Sequence, residues 1–90
     1  MAVLFRTDSS TENVKPKNGT DFSLEELQEM VGGTIEIIRL SNLQLMIVHD
    51  EGKILGLPVN LYATILYRMY ICTDDFIAGD ALLCYATEVT

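Results

Sequence analysis

Apolar and polar positions change rhythm several times along this chain, and each change marks an element. Ala2-Val3-Leu4-Phe5 runs into Arg6, and residues 2–6 read as a short strand. Residues 7–21, TDSSTENVKPKNGTD, have no apolar period and contain Pro16 and Gly19, so they read as a long polar loop. From residue 23 the period becomes helical. Leu24, Leu27 and Val31 recur at spacings of three and four, with Glu25 and Glu29 on the wet side. Ser23 and Glu26 form an S-x-x-E capping box, in which each side chain serves an amide that the first helical turn leaves without a partner. Gly32-Gly33 ends the helix.

Two strand-like runs follow, residues 34–40 (TIEIIRL) and 43–49 (LQLMIVH), with Ser41-Asn42 between them as a hairpin turn. Both faces of the second run are apolar, which suits a strand inside a sheet. Residues 60–71 read as a helix with Asn60 as N-cap and Pro58 just before it. Its polar stripe is narrow (Asn60, Thr64, Arg68), and a helix this apolar is expected to be buried on more than one side. The hydroxyls of Tyr62, Tyr67 and Tyr70 require some of these rings to reach a surface or an interface. Residues 76–87 read as the last strand.

The order β-α-β-β-α-β predicts an α+β fold, a small antiparallel sheet with two helices, in one domain over residues 1–90. The split βαβ pattern of ferredoxin-like folds, with both helices on one face, has this order.

Composition narrows the function classes. With 49% hydrophobic residues the chain of 90 cannot be disordered throughout. No run approaches the roughly 18 apolar residues of a membrane span. The start, MAVLFRTDSS, lacks a basic region followed by a long apolar stretch, so a cytoplasmic location is expected. Cys72 and Cys84 form no C-x-x-C pair and are expected to be reduced, buried thiols. The net charge of −7 is uneven. Arg6, Lys15 and Lys17 against Asp8 and Glu12 leave residues 1–20 at net +1, so residues 21–90 carry −8. An acidic body argues against direct nucleic-acid binding, which needs a basic face, but it fits a basic partner.

The densest chemistry lies in residues 48–60, VHDEGKILGLPVN. A turn at Asp50-Glu51-Gly52, with glycine in the left-handed position and Lys53-Ile54-Leu55 starting a return strand, accounts for Asp50 and Gly52. A helix start accounts for Pro58 and Asn60. On the functional reading, His49, Asp50, Glu51, Lys53 and Asn60 form a polar binding surface. Catalysis is not expected: neighbours at a turn tip diverge, and no nucleophile motif or phosphate loop is present. One histidine cannot build a transition-metal site, and no cofactor is expected.

The ordered set Val31-Gly32-Gly33, Ile35-Glu36, Glu51-Gly52-Lys53, Gly56-Leu57-Pro58 with Asn60, and Ile77-x-Gly79-Asp80 resembles the domain-of-unknown-function family numbered 3846. The likeness spans roughly residues 22–86. This chain departs at His49-Asp50, where the family more often looks like Asn-Glu, and at Leu61, where a basic residue is common. The resemblance implies a small cytoplasmic protein of phages, plasmids or other mobile elements, and no activity. The expectation is therefore an acidic module that binds a host protein or a small ligand non-covalently, in a setting that suggests a role against host defence. The alternative is a homo-oligomeric structural or accessory protein that associates through the apolar helix over residues 61–71.

Overall fold

A computed structural model describes residues 2–89. The strands are β1 (Ala2–Phe5), β2 (Thr11–Val14), β3 (Ile35–Arg39), β4 (Gln44–His49) and β5 (Ala81–Tyr85); the helices are α1 (Leu24–Val31) and α2 (Leu61–Ile71). A 3-10 turn, Ala86–Glu88, follows β5. The sheet order is β2-β1-β5-β4-β3, with antiparallel pairing throughout.

The α+β class and the β-α-β-β-α-β order stand, with one strand added. Residues 7–21 are not all loop: β2 pairs with β1, from Ala2 opposite Val14 to Phe5 opposite Thr11. Its residues Thr-Glu-Asn-Val carry almost no apolar signal because an edge strand can face water on both sides. Its hydrogen bonds come from its neighbour instead. The turn is closed by the Arg6 amide on the Ser10 carbonyl at 2.9 Å, with Ser9 left-handed at φ 71.

The helices lie on opposite faces of the sheet, not together on one face. Successive side chains of β4 alternate between two cores. Leu45 and Ile47 join Leu4, Leu82, Leu27 and Val31 beneath α1. Met46 and Val48 join Ala63, Ile77 and Ala81 beneath α2. This explains why both faces of that strand are apolar. The strand order also differs from the split βαβ pattern, since β1 lies outside β5 instead of in the middle of the sheet.

α1 forms where the capping box predicts. The Ser23 hydroxyl accepts from the Glu26 amide at 3.1 Å, and the Glu26 carboxylate accepts from the Ser23 amide at 2.9 Å. That carboxylate is held below its usual range by the Ser23 amide, then by the Lys17 amide. Leu27 is 2% exposed, and burying such a side chain contributes about 1.5–3 kcal/mol.

α2 is turned the other way round from the usual amphipathic helix. Asn60 and Thr64, two members of its polar stripe, are buried, whereas Leu61, Ile65 and Met69 face solvent. The cause is the extended segment 73–80, which crosses the inner side of the helix and needs hydrogen-bond partners. Thr64 Oγ1 accepts from the Ile77 amide at 3.0 Å, and Arg68 donates from Nε and Nη2 to the carbonyls of Asp75 and Asp74, each at 2.9 Å. The polar stripe therefore serves backbone, and the apolar stripe is left outward. For the same reason the last strand is shorter than residues 76–87: Ala78 bridges Val59, and β5 begins at Ala81.

Of the two cysteines, Cys84 is buried but Cys72 is exposed at the left-handed C-cap of α2. Burial pushes the Cys84 thiol up to about 11, so it stays protonated at neutral pH. A chromogenic disulfide reagent is accordingly expected to titrate one thiol in the native chain, at Cys72, and both only in denaturant. Rapid reaction of two thiols under native conditions would contradict the buried position of Cys84.

Candidate functional site

Residues 50–56 form a compact turn instead of a return strand. The amides of Leu55, Gly56 and Leu57 donate to the carbonyls of Glu51, Lys53 and Gly52 at 2.9, 3.1 and 2.9 Å. Gly52 does not adopt the left-handed conformation expected of it. It is buried against the 73–80 segment, where a Cβ would lie 2.5 Å from the Ala78 carbonyl oxygen. Close approach, not a positive φ, is what calls for glycine here.

Of the five sequence candidates, His49, Asp50 and Lys53 line one groove, and Glu51 and Asn60 do not. His49 ends β4 on the α1 side, where its ring leaves no room for a Cβ at Gly33 and its Nδ1 accepts from the Glu51 amide at 3.0 Å. Asn60 is 0% exposed and cannot meet a partner, which overturns its place in a binding surface. Its Nδ2 donates to the carbonyls of Phe5 and Gly79 at 2.8 and 2.9 Å, and its Oδ1 accepts from the Ala63 amide at 3.2 Å. Glu51 is exposed at the turn tip, outside the groove described next.

His49, Asp50 and Lys53 do come together with other residues, along a groove of about 320 Å³ on the α2 face. Its walls are the ends of β3 and β4, the turn, α2 and residues 75–78, with Glu36, Tyr67, Asp75 and Phe76 on the lining. Lys53 Nζ pairs with the Asp75 carboxylate and lies 4.9 Å from the centre of the Phe76 ring. That hydrogen bond, and then the Phe76 amide at 2.8 Å, hold the Asp75 carboxyl below its usual range.

Asp75, Phe76, Glu36 and Tyr67 were not among the sequence candidates. Asp74-Asp75-Phe76 looks like a helix exit, and its link to Lys53 spans 22 residues. The one available signal was an acidic pair beside an aromatic ring in an otherwise apolar stretch. No group of three or more His, Cys, Asp or Glu among the described residues is placed to hold a metal ion. Among the same residues, no helix is long and apolar enough to cross a membrane.

The motifs behind the resemblance also meet in space. Gly33 abuts His49, Gly52 abuts Ala78, and Gly79 donates its amide to the Pro58 carbonyl at 2.8 Å. Asp80 accepts from the Thr7 amide at 3.0 Å. The family model described as Domain of unknown function (DUF3846) matches residues 2–90. The chain belongs to this family. No curated protein and no solved structure matches it. The match extends the DUF3846 likeness beyond residues 22–86 to β1 and β2, so the hairpin at the sheet edge lies within the family's span. Of the DUF3846 motif residues of this chain, Glu36, Lys53 and Ile77 line the groove.

Proposed function

We propose that this chain is a non-catalytic, cytoplasmic binding module whose groove takes a basic segment of a protein partner. The observation that carries this reading is the groove's lining. Glu36, Asp50 and Asp75 surround a space with aromatic walls at Phe76 and Tyr67, and Lys53 is the one cationic side chain among the lining residues. The chain's net charge of −7 steers a cationic segment toward it, an effect that falls with added salt. In the phage or mobile-element setting that the family resemblance suggests, the partner is a host protein, and interference with host defence is the role that setting favours. The His49 ring packs against Gly33 and its Nδ1 is taken by the Glu51 amide, which supports binding over catalysis.

The test is titration of the ¹⁵N-labelled chain with an oligolysine peptide, followed by amide shifts. Shifts are expected at residues 49–53 and 74–78, shrinking as salt rises. Because Asp75 is held below the usual carboxylate range, its charge and its share of the binding persist into acid and are lost only as pH falls through that lowered value. Absence of shifts, or shifts confined to α1, would refute the reading.

A second reading rests on a separate observation, the outward apolar stripe of α2. Leu61, Ile65 and Met69 are 56%, 47% and 70% exposed, at spacings of four, with Tyr62 beside them. Single exposed apolar residues are ordinary, but a row of them marks a contact surface. The occupant it fits is a second copy of the chain: the helix carries no carboxylate, so two acidic molecules repel least across this face. Tyr67, half-buried in the core beneath α2, is the wrong probe. Ile65→Glu is the right one, and it is expected to convert a dimer seen by light scattering to monomer without loss of helix signal. A wild-type chain that stays monomeric at high concentration removes this reading.

A further inference from the structure

Lys53 is held as a bound ligand would be. Its ammonium sits between a carboxylate and an aromatic face, the two features that recognise an organic cation. The receiving side is built independently of it. The Asp75 carboxylate accepts from the Phe76 amide at 2.8 Å, and the Asp75 amide donates to Thr73 Oγ1 at 3.1 Å. Arg68 pins the carbonyls of Asp74 and Asp75 from α2. Lys53, in contrast, rides on the 50–56 turn, and the side chains in the ion pair are 46% and 44% exposed. A pair so exposed is weak and easily exchanged.

We propose that Asp75 and the face of Phe76 form a guanidinium subsite, occupied by Lys53 in the unbound chain, and that an arginine of the bound segment displaces it. This rests on the reading of the groove given above. A guanidinium suits the subsite better than an ammonium does. It is flat, so it stacks on the ring, and its fork matches both oxygens of a carboxylate. Glu36 and Asp50, on the same groove, remain for a neighbouring positive charge. Lys53 therefore acts as a competing internal cation that raises the threshold for binding and selects arginine over lysine.

The experiment compares oligoarginine and oligolysine of equal length on the full ¹⁵N,¹³C-labelled chain, as wild type, Lys53→Met, Asp75→Asn and Glu36→Gln. Melting curves confirm that each variant folds. Oligoarginine is expected to bind wild type more tightly than oligolysine, and to shift both the Phe76 ring and the Lys53 side-chain resonances. Lys53→Met should tighten oligoarginine by about fivefold, the size of the exposed pair it no longer has to break. Asp75→Asn should abolish the arginine preference, whereas Glu36→Gln should weaken both peptides alike. If both peptides bind the groove equally and the Phe76 ring and Lys53 do not move, the subsite is refuted and the groove reading stands. If neither peptide shifts the groove in any variant, the groove reading itself fails.

Discussion

Asn60→Ala is expected to cost about 3 kcal/mol of folding stability, taking roughly 1 kcal/mol from the lost N-cap and a similar amount from each of two lost carbonyl partners. Asn60 is fully buried and its three hydrogen bonds join three parts of the chain: β1 at Phe5, the β5 approach at Gly79, and the first turn of α2 at Ala63. Such a loss is a large share of the roughly 5–15 kcal/mol that holds a small domain together. At roughly 4–8 °C per kcal/mol for a domain of this size, the melting temperature should fall by about 12–24 °C. Asn60→Asp keeps the cap oxygen but turns an acceptor toward two carbonyls, so it should be at least as damaging. Glu51→Ala, at an exposed turn position, serves as the control. An Asn60→Ala chain that melts with Glu51→Ala would show that these bonds do not hold the connections in place.

Gly52→Ala has the second largest expected effect, a net destabilisation of about 1 kcal/mol. Two terms oppose each other. The backbone at Gly52 is not left-handed, so alanine would adopt it readily and gain about 0.4–1 kcal/mol through the unfolded state. Against this, the new methyl would lie 2.5 Å from the Ala78 carbonyl oxygen and 3.3 Å from the Ala78 carbonyl carbon. Ala78 is held by its bridge to Val59, so the turn must move instead, and overpacking of this kind costs about 1–3 kcal/mol. The steric term wins. Because Lys53 is the next residue, the displaced turn should also draw its ammonium away from Asp75 and Phe76. Urea unfolding measures the first effect, and the Phe76 ring resonances report the second. A stabilised Gly52→Ala chain would show that the turn and the 73–80 segment are not in contact.

Local physics was sufficient where a residue's role is set by its neighbours in sequence. The capping box at Ser23 and Glu26, the Gly32 stop, the β3–β4 hairpin and the Asn60 cap all depend on groups within a few residues, and all were legible. β2 was not, because its hydrogen bonds are owed to β1 and its side chains face water. The groove was half legible. Asp50 and Lys53 stood out as charges in a turn, but Asp75 and Phe76 gain meaning only when a second segment crosses α2. Glu51 stood out equally and lies outside the groove.

What the sequence determined by itself is the α+β class, the order of its main helices and strands, its acidic balance and its DUF3846 likeness. These follow from periodicity, capping chemistry and composition, which act over a few residues or over the chain as a sum. Only the tertiary structure decided that the helices cover opposite faces, that Asn60 and Thr64 point inward while Leu61, Ile65 and Met69 point out, and that Lys53 meets Asp75. The last two turn on the 73–80 segment. Its backbone must be hydrogen-bonded where it passes beneath α2, and the side chains that satisfy it are chosen by position in space, not by spacing along the chain.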